Sequence, residues 1–400
     1  MPKFSYVAKL SDGRKVTGLL DAASQSAVLE VLHQQGLVVI NVASAKAAAF
    51  KAFTGRIGMD DLAVFARQMA TLVDAGIPIV SGLEAVAEQL ENKSLREVVN
   101  RVREAVEGGT NLTAAIAKQS AVFSPLFVSM VKAGEASGHL AEILERLATY
   151  LEKSASLQRK IRAACIYPAI VITMALSITS MLILKVIPAF KDIFRTIGVA
   201  LPLPTRILIA VSDTAQRSVV PGILFIVVGV FLFRRFLKTP NGRLMFDRFM
   251  LGMWIIGPLV RKVAIAKFAR TFSTLVKSGV QILGALEIVS DTAGNRVVAD
   301  AVLKVKASIK EGENIAGPLA NSRVFPPLVV RMVAVGEQTG RLDEMLTKVA
   351  EFYEEQVDTA VSGLTSALEP MIIAVLGIVV GSIIFSILLP IFKLTEVLVK

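Results

Sequence analysis

Cysteine and histidine are scarce in this chain of 400 residues, which has one cysteine, Cys165, and two histidines, His33 and His139. A single cysteine excludes an intrachain disulfide framework and a zinc site built from cysteines. The two histidines are far apart in the sequence and leave little for metal binding or acid–base catalysis. We therefore expect no metal site in this chain.

Motifs for catalysis and nucleotide binding are missing as well. The sequence contains no Gly-x-x-x-x-Gly-Lys-Ser/Thr and no His-Glu-x-x-His, the patterns of a phosphate loop and of a zinc protease. Gly134-Glu135-x-x-Gly138 is no phosphate loop, because helices rather than a strand are predicted around it. The chain is predicted to be a non-enzyme without a cofactor, and a membrane peptidase or kinase is disfavoured for the same reason.

Charged residues make up only 19% of the chain, whereas hydrophobic residues make up 54% and the mean hydropathy is +0.61. A soluble globular protein rarely reaches these values, so they indicate a membrane protein. The net charge is +11, and the positive residues flank the apolar stretches. We assign this charge to membrane topology and lipid, and we expect no nucleic-acid partner.

Three apolar stretches are predicted to be transmembrane helices, at residues 166–190, 219–237 and 369–392. The second is the weakest prediction, because the uncharged run from Val219 to Phe233 would rise only ~22 Å through a hydrocarbon core of ~30 Å. No apolar run of signal-peptide length follows Met1. We expect the N-terminus to stay in the cytoplasm.

The distribution of lysine and arginine predicts the orientation of the helices. These residues cluster before the first helix and after the second one: Lys153, Arg159, Lys160, Arg162, Arg234, Arg235, Lys238, Arg243 and Arg248. Residues 59–165 and 238–368 are therefore predicted to be cytoplasmic, with a periplasmic loop at 191–218 and a periplasmic tail at 393–400. The third helix is a local exception, since Lys393 and Lys400 follow it.

The sequence contains an internal repeat. Phe65-Ala66-Arg67 recurs 203 residues later as Phe268-Ala269-Arg270, and Leu83-Glu84 recurs as Leu286-Glu287. After the loss of one residue the offset becomes 202, at which Gly134-Glu135 and Gly138 return as Gly336-Glu337 and Gly340. The repeating unit is thus a helical domain followed by a membrane helix, and the 219–237 helix returns the chain to its starting side.

The predicted fold is mainly α. Each repeat is expected to contain a cytoplasmic bundle of about six short helices, because apolar residues recur at spacings of three and four. Residues 1–45 are predicted to form a small α+β domain with a hairpin around Ser11–Arg14, a helix over Ser24–Gln35 and a strand over Leu37–Val42. Residues 46–58 look like a linker.

Charged residues that occur in both repeats are candidate sites for structure or partner binding, namely Arg67, Arg270, Glu84, Glu287, Glu135 and Glu337. One interpretation is an ion pair inside each bundle, in which Arg67 binds Glu84 or Glu135 and Arg270 binds Glu287 or Glu337. The other is a docking point for a partner. Gly138 and Gly340 are interpreted as turns with positive φ or as partner contacts. Gly377 and Gly381 form a Gly-x-x-x-Gly motif that favours close packing against another helix, in this chain or in a partner.

The residues around these positions resemble a known family of membrane proteins. The resemblance is carried by Phe65–Leu72 with Gly76, by Val131–Glu135 with Gly138, by Ile166-Tyr167-Pro168, by Leu201–Thr205, by Val335-Gly336-Glu337 with Gly340, and by Leu368-Glu369-Pro370. Together they are similar to the polytopic inner-membrane core proteins of type II secretion and type IV pilus assembly. The short N-terminal region beginning Phe4-Ser5-Tyr6 fits the same family.

The resemblance implies a platform protein in the bacterial inner membrane. Its partners would be a cytoplasmic assembly ATPase, pilin or pseudopilin subunits, other platform proteins and further copies of itself. The alternative is a transporter subunit acting as an oligomer, because duplicated membrane units are typical of transporters. Three membrane helices with few charges inside them favour the platform.

Overall fold

The computed structural model of the chain describes residues 3–9, 15–21, 25–34, 38–45, 57–197 and 202–398. It divides into two units, Met1–Ile57 with Glu91–Arg96, and Gly58–Leu90 with Glu97–Lys400. Most of the predicted linker at 46–58 and the predicted hairpin turn at Ser11–Arg14 lie outside the described residues.

The N-terminal unit contains three strands and a helix: β1 (Lys3–Lys9), β2 (Lys15–Asp21), α1 (Gln25–Gln34) and β3 (Val38–Ala45). Strand β1 is central and pairs antiparallel with both neighbours, in the order β2-β1-β3. The register against β3 shifts between Val7 and Ala8. Helix α1 buries Val28 and Leu32 completely, as expected for a helix whose apolar face packs on a sheet.

The first repeat consists of helices that pack around a phenylalanine core: α2 (Met59–Asp74), α3 (Ile79–Gln89), α4 (Lys93–Glu107), α5 (Leu112–Ala117), α6 (Pro125–Ser137) and α7 (Leu140–Met181). The rings of Phe123 and Phe127 lie 4.8 Å apart, and Phe65 packs against both. Two of the helices have a side-chain cap at their N-terminus. The side chain of Asn111 caps α5, and that of Ser124 caps α6, in which Pro125 occupies the first turn.

A connecting segment joins the two repeats. A five-residue π-helix (Leu182–Val186) and α8 (Ile187–Ile197) continue from α7, followed by α9 (Leu203–Leu237) and α10 (Pro240–Gly252). The predicted loop at 191–218 is therefore wrong for most of its length, because α9 begins at Leu203 after Pro202. The moderate hydropathy of this stretch reflects an amphipathic helix, which has polar and apolar faces, rather than a loop.

The second repeat follows the same plan with α11 (Ile256–Lys277), α12 (Ile282–Thr292), α13 (Arg296–Lys310), α14 (Ala316–Asn321), α15 (Pro327–Thr339) and α16 (Leu342–Leu398). Phe268 and Phe325, the equivalents of Phe65 and Phe123, have ring centroids 4.7 Å apart. Asn295 caps α13 by accepting hydrogen bonds from Val297 N and Val298 N. The two bundles are thus built around the same aromatic pair.

The long helices α7 and α16 run from the bundles into the apolar segments without interruption. Pro168 and Pro370 lie inside them, so the predicted boundaries at 165/166 and 368/369 fall within continuous helix. Among the described residues, Leu140–Ile193 and Leu342–Pro390 are long and apolar enough to cross a membrane. A third candidate is the α10–α11 pair, which bends by 113°.

The predicted second membrane helix lies in the last part of α9. Its apolar side chains from Leu224 to Phe233 are exposed around the whole helix, including Phe225 and Phe231. A helix that is apolar on all sides is typical of a membrane span rather than of a bundle surface. By contrast, α11 of the bent pair buries Phe268, Phe272 and Leu275 in its own bundle.

Polar side chains fasten the first half of α9 to both long helices. Thr205 Oγ1 donates to Ser386 O at 2.5 Å, and both residues are buried. Ser212 Oγ donates to Ile183 O, and Gln216 Nε2 donates to Leu184 O at 3.2 Å. Both of these carbonyl groups belong to the π-helix, where the regular α-helical bonding is interrupted. The side chains of α9 therefore connect this helix to α16 and to the π-helix that follows α7.

Two glycines allow neighbouring helices to approach closely. A methyl group on Gly134 of α6 would lie 3.2 Å from the Cα of Leu140, and one on Gly336 of α15 would lie 2.8 Å from the Cα of Leu342. Real Cβ atoms do not approach backbone atoms as closely as 2.8 Å. The tight turn between the last two helices of each bundle therefore depends on glycine at these equivalent positions.

We predict that Gly336→Ala destabilises the protein by about 1–3 kcal/mol, because the added methyl group pushes α16 away from α15. The measurement is the melting temperature of the full-length protein in detergent, with unfolding monitored by circular dichroism. Gly82→Ala is the matched control, since its methyl group would lie 3.6 Å from Met69 Cε, an ordinary contact, and alanine favours the helix. Equal melting temperatures for both variants would contradict this packing constraint.

Candidate functional site

The duplicated arginines each bind a glutamate at equivalent positions on the long helices. Arg67 donates from Nε and Nη2 to the two carboxylate oxygens of Glu152, at 2.7 and 2.8 Å. Arg270 binds Glu354 in the same way, with both distances 2.7 Å. Glu354 lies 202 residues after Glu152, so the pair is repeated together with the fold. Such a bidentate contact attracts the two helices to each other and also fixes their relative orientation.

The predicted partners of these arginines are wrong. Neither Glu84 nor Glu135 binds Arg67, and neither Glu287 nor Glu337 binds Arg270, within the part of the chain that the structure describes. The physical reason is that α2 lies along α7, and α11 lies along α16, so the nearest carboxylates come from the long helices. Arg67 also pairs with Glu145 and bonds Thr149 Oγ1 at 3.2 Å. The repeat contained this signal, since Glu152 and Glu354 match at the 202-residue offset.

The Arg67 cluster shifts the protonation of its members. Hydrogen bonds from Arg67 lower the pKa of the Glu152 carboxyl below its usual value. The bonds to Glu152 and Glu145 in turn raise the pKa of the Arg67 guanidinium. Both groups therefore stay charged under ordinary conditions. The side chains of this pair are 35% and 44% exposed, whereas those of Arg270 and Glu354 are only 16% and 23% exposed.

Glu84 and Glu287 make equivalent ion pairs at the bundle surface. Arg103 Nη1 binds Glu84 Oε1 at 3.0 Å, and Lys306 Nζ binds Glu287 Oε2 at 2.7 Å. The bond from Lys306 lowers the pKa of the Glu287 carboxyl. Both carboxylates are exposed to solvent, where an ion pair contributes little to stability.

Glu135 and Glu337 cap short helices through their carboxylates. Glu135 accepts hydrogen bonds from Leu112 N at 2.8 Å and Thr113 N at 3.1 Å. Glu337 accepts from Ile315 N at 2.7 Å and Ala316 N at 3.4 Å. A negative charge is favourable at a helix start, where backbone N–H groups lack partners inside the helix. Each carboxylate therefore joins a short helix to the helix after it.

The glycines of the two motifs fall into different surroundings. Gly138 and Gly340 have φ of +76° and +72° and end α6 and α15. This left-handed conformation at a helix end is the one expected if these glycines form turns. A methyl group added to Gly377 or Gly381 would meet nothing within 4 Å among the described residues. Packing against a helix of the same chain is therefore wrong for this face. Glu369 is exposed, one residue before Pro370.

The two bundles meet through α7 of the first repeat and α11 and α16 of the second, a contact that no pattern in the sequence indicates. The Tyr150 hydroxyl and Thr271 Oγ1 lie 3.1 Å apart, and Thr271 is fully buried. Arg146 donates to Lys277 O, and Lys160 pairs with Asp358. Burial raises the pKa of the Tyr150 hydroxyl, so this group stays protonated as a hydrogen-bonding phenol.

Apolar side chains complete this contact on the side nearer the membrane segments. Leu157 of the first repeat forms a buried cluster with Val357 and Val361 of the second, and Val263 packs against it. In the first repeat the positions equivalent to Val263 and Val361 hold Asp60 and Arg159, which form an ion pair. The site is thus apolar in the second repeat, where Leu157 of the first repeat packs on it, and charged in the first repeat, where no described residue covers it.

The contact between the repeats is not reciprocal. Position 352 is equivalent to Tyr150, but Phe352 is exposed and packs on Tyr353 of its own helix. Position 68 is equivalent to Thr271, but Gln68 donates to Gln89 at 3.1 Å. A groove of about 480 Å³ lies on this side of α2, and its lining includes Asp60, Gln68 and Arg159. Within the residues that the structure describes, one face of each repeat is therefore left uncovered.

A second cavity of about 640 Å³ lies where the long helices leave the bundles. Its walls are almost wholly apolar and include Cys165, Pro168, Trp254 and Leu368. Among the described residues, no group of three or more His, Cys, Asp or Glu side chains could hold a metal ion.

Comparisons with known proteins place these features in a family. The family model described as "Type II secretion system (T2SS), protein F" matches residues 65–188 and again residues 268–390. The model described as "Type II secretion system protein F, N-terminal domain" matches residues 1–43. The double match confirms the internal repeat.

Full-length relatives carry two kinds of name. The type IV pilus assembly protein PilC of Thermus thermophilus is 41% identical over 400 residues, with 98% of each chain covered. PilC of Myxococcus xanthus is also 41% identical, over 98% of this chain and 95% of its own. The type II secretion system protein F of Vibrio cholerae is 33% identical over 404 residues, with 100% of both chains covered.

We predict that Arg270→Ala costs about 2–3 kcal/mol, because it leaves the half-buried Glu354 carboxylate without its partner. Arg67→Ala is expected to cost about 1 kcal/mol or less, since its pair is more exposed. Thermal melting of the full-length protein measures both. Arg341→Ala is the control, because its pair with Glu344 is exposed and lies within one turn of helix. Equal losses for Arg270 and Arg341 would contradict a structural role for the Arg270 pair.

The lowered pKa of Glu152 predicts how the stability of the protein changes with pH. A Glu152 carboxyl with a lowered pKa stabilises the fold above the usual glutamate pKa of about 4.3, and this contribution is lost as the pH falls through the folded-state value. The difference in melting between wild type and Glu152→Gln is therefore expected to shrink on acidification.

Proposed function

Because this chain belongs to the type II secretion system protein F family, we propose that it is the membrane platform of a type II secretion or type IV pilus assembly machine. The observation that carries the proposal is the direct continuation of each helical bundle into an apolar segment, through α7 and α16. Such a helix couples a binding domain rigidly to the membrane. The names of the relatives favour this function over a transporter subunit.

We place the chain in the bacterial inner membrane with its N-terminus in the cytoplasm. The membrane helices would lie at 166–190, 219–237 and 369–392. The bundles at 59–165 and 238–368 would face the cytoplasm, and residues 1–45 would form a separate α+β domain there. The lysines and arginines before the first helix and after the second support this orientation. Residues 203–218 of α9 would lie on the periplasmic side with 191–197.

The partners follow from this placement. The cytoplasmic bundles would bind an assembly ATPase, since the chain itself carries no nucleotide-binding motif. The apolar segments would meet pilin or pseudopilin subunits within the bilayer. The exposed Gly377 and Gly381 support a helix–helix contact with such a subunit or with another platform protein, because glycine lets backbones approach closely.

The test of the function is deletion of the gene in its own bacterium. We expect filament assembly or secretion to stop while the pilin-like subunits are still synthesised and inserted, because the platform acts after synthesis. Plasmid-borne wild-type protein should restore assembly, which controls for effects on neighbouring genes. Normal filaments or normal secretion in the deletion strain would contradict the proposal.

The uncovered faces support self-association of the platform. The face of α7 that carries Tyr150 covers α11 in the second repeat, whereas no described residue covers the equivalent face of α16 or the equivalent groove on α2. A second chain could place its α16 face, with Lys348 and Phe352, in the α2 groove of the first. This contact would repeat the one inside the chain. Contacts of this head-to-tail kind close into a ring when the rotation permits.

Cysteine cross-linking tests the contact. We predict that Gln68→Cys with Phe352→Cys, in a Cys165→Ala background, forms disulfides between chains in native membranes, because these positions are equivalent to the adjacent Thr271 and Tyr150. Non-reducing electrophoresis shows the product as species of two or more chains. The control pair is Gln68→Cys with Leu303→Cys, since Leu303 is exposed on α13. Monomers alone from the first pair, or equal products from both pairs, would refute this interface.

A further inference from the structure

The elbow between α10 and α11 exposes large apolar side chains in one stripe. Met245 and Phe249 lie one turn apart on α10, and Trp254 and Ile255 follow at the bend. All four are exposed, and Trp254 has the largest exposed fraction of any large hydrophobic residue described, at 92%. An exposed apolar patch of this kind marks a contact that the isolated chain does not show.

The opposite side of α10 is fixed to the protein. Asp247 Oδ2 accepts a hydrogen bond from Arg296 N at 2.6 Å, at the start of α13. The ring of Phe246 packs edge-on against Phe233 of α9, with centroids 5.7 Å apart. The exposed stripe is therefore held in place from behind, and its direction is set by both the bundle and α9.

Basic residues lie close to this stripe in the sequence. Arg243 and Arg248 lie on α10 itself, and Arg234, Arg235 and Lys238 lie at the end of α9. Helix α10 contains one acidic residue, Asp247, and its carboxylate is hydrogen-bonded to the start of α13. On α10, Arg248 lies beside Met245, whereas Arg243 lies on the side of Asp247. An apolar stripe with an arginine beside it is complementary to a bilayer surface with anionic headgroups, in which apolar groups reach the acyl chains and cations stay among the phosphates.

The position of the elbow agrees with a bilayer surface. Trp254 lines the same apolar cavity as Pro168 and Leu368, which lie at the predicted cytoplasmic ends of the first and third membrane helices. The proposed second membrane helix, 219–237, has Arg234 and Arg235 in its last turn, a few residues before α10. Tryptophan is enriched at this depth, because its ring is apolar and its N–H is polar.

We propose that α10 and Trp254 form an interfacial anchor that lies in the anionic headgroup layer of the cytoplasmic leaflet. The proposal rests on the cytoplasmic orientation given under the proposed function. The anchor would fix the second bundle against the membrane at a third point, in addition to the two long helices. It restricts tilting of the bundle about α16.

Trp254 is the only tryptophan of the chain, so its fluorescence reports on the anchor alone. The experiment uses full-length protein in nanodiscs of phosphatidylcholine with phosphatidylglycerol, and lipids brominated at two depths along the acyl chain. We expect a blue-shifted emission, protection from acrylamide, and stronger quenching by bromine near the headgroup than by bromine near the chain end. Trp254→Phe gives the background.

Three outcomes would overturn the anchor. The first is the red-shifted emission of a water-exposed indole that acrylamide quenches. The second is strongest quenching by the deeper bromine. The third is a blue-shifted emission that neither brominated lipid quenches, which would indicate a contact between Trp254 and protein. Arg248→Gln should weaken quenching in phosphatidylglycerol and leave it unchanged in phosphatidylcholine alone. Equal quenching of wild type and this variant in both lipids would refute the role of charge.

The anchor and the platform function can fail separately. If Trp254 is not quenched by lipid while the wild-type gene still restores assembly in the deletion strain, the anchor is wrong and the platform stands. If lipid quenches Trp254 but deletion leaves assembly intact, the platform function is wrong and the membrane contact stands.

Discussion

The continuation of one helix from each bundle into its apolar segment is the constraint on which the rest of the structure depends. A helix satisfies its own backbone groups, so it can pass from a bundle into a bilayer without a change of structure. Helices α7 and α16 do so even though Pro168 and Pro370 lie within them. Helices α2 and α6 pack against α7, and α11 and α15 pack against α16, so each bundle is organised around its long helix.

The duplication preserved contacts between helices of the same bundle and changed the faces where the two repeats meet. The bidentate Arg–Glu pair, the surface ion pair and the glutamate cap recur at equivalent positions, because each joins helices of the same bundle. Positions at the contact between the repeats differ, such as Asp60 and its equivalent Val263. One repeat therefore presents a polar groove where the other presents an apolar surface. This divergence allows a head-to-tail contact inside the chain and leaves matching faces open.

Local signals in the sequence were reliable where the structure depends on near neighbours. Asn111 and the glycines at helix ends act as caps and turns, because those roles involve atoms within a few residues. The prediction of an intrabundle partner for Arg67 was correct in kind but wrong in identity. Glu152 lies 85 residues away, and which face of α7 meets α2 depends on the packing of the whole bundle. Residues 191–197 and 203–218 are helical where a loop was predicted, because moderate hydropathy fits both an amphipathic helix and a loop.

The amino-acid sequence by itself determined the repeat, the helical class, the apolar segments and the family, because each of these is written in spacing, composition and residue identity. Only the tertiary structure decided which carboxylates hold the arginines, how the first repeat covers one face of the second, and where Trp254 is exposed. These properties depend on contacts between residues that are distant in the chain. Such contacts follow from the simultaneous packing of many helices, and no local pattern in the sequence specifies them.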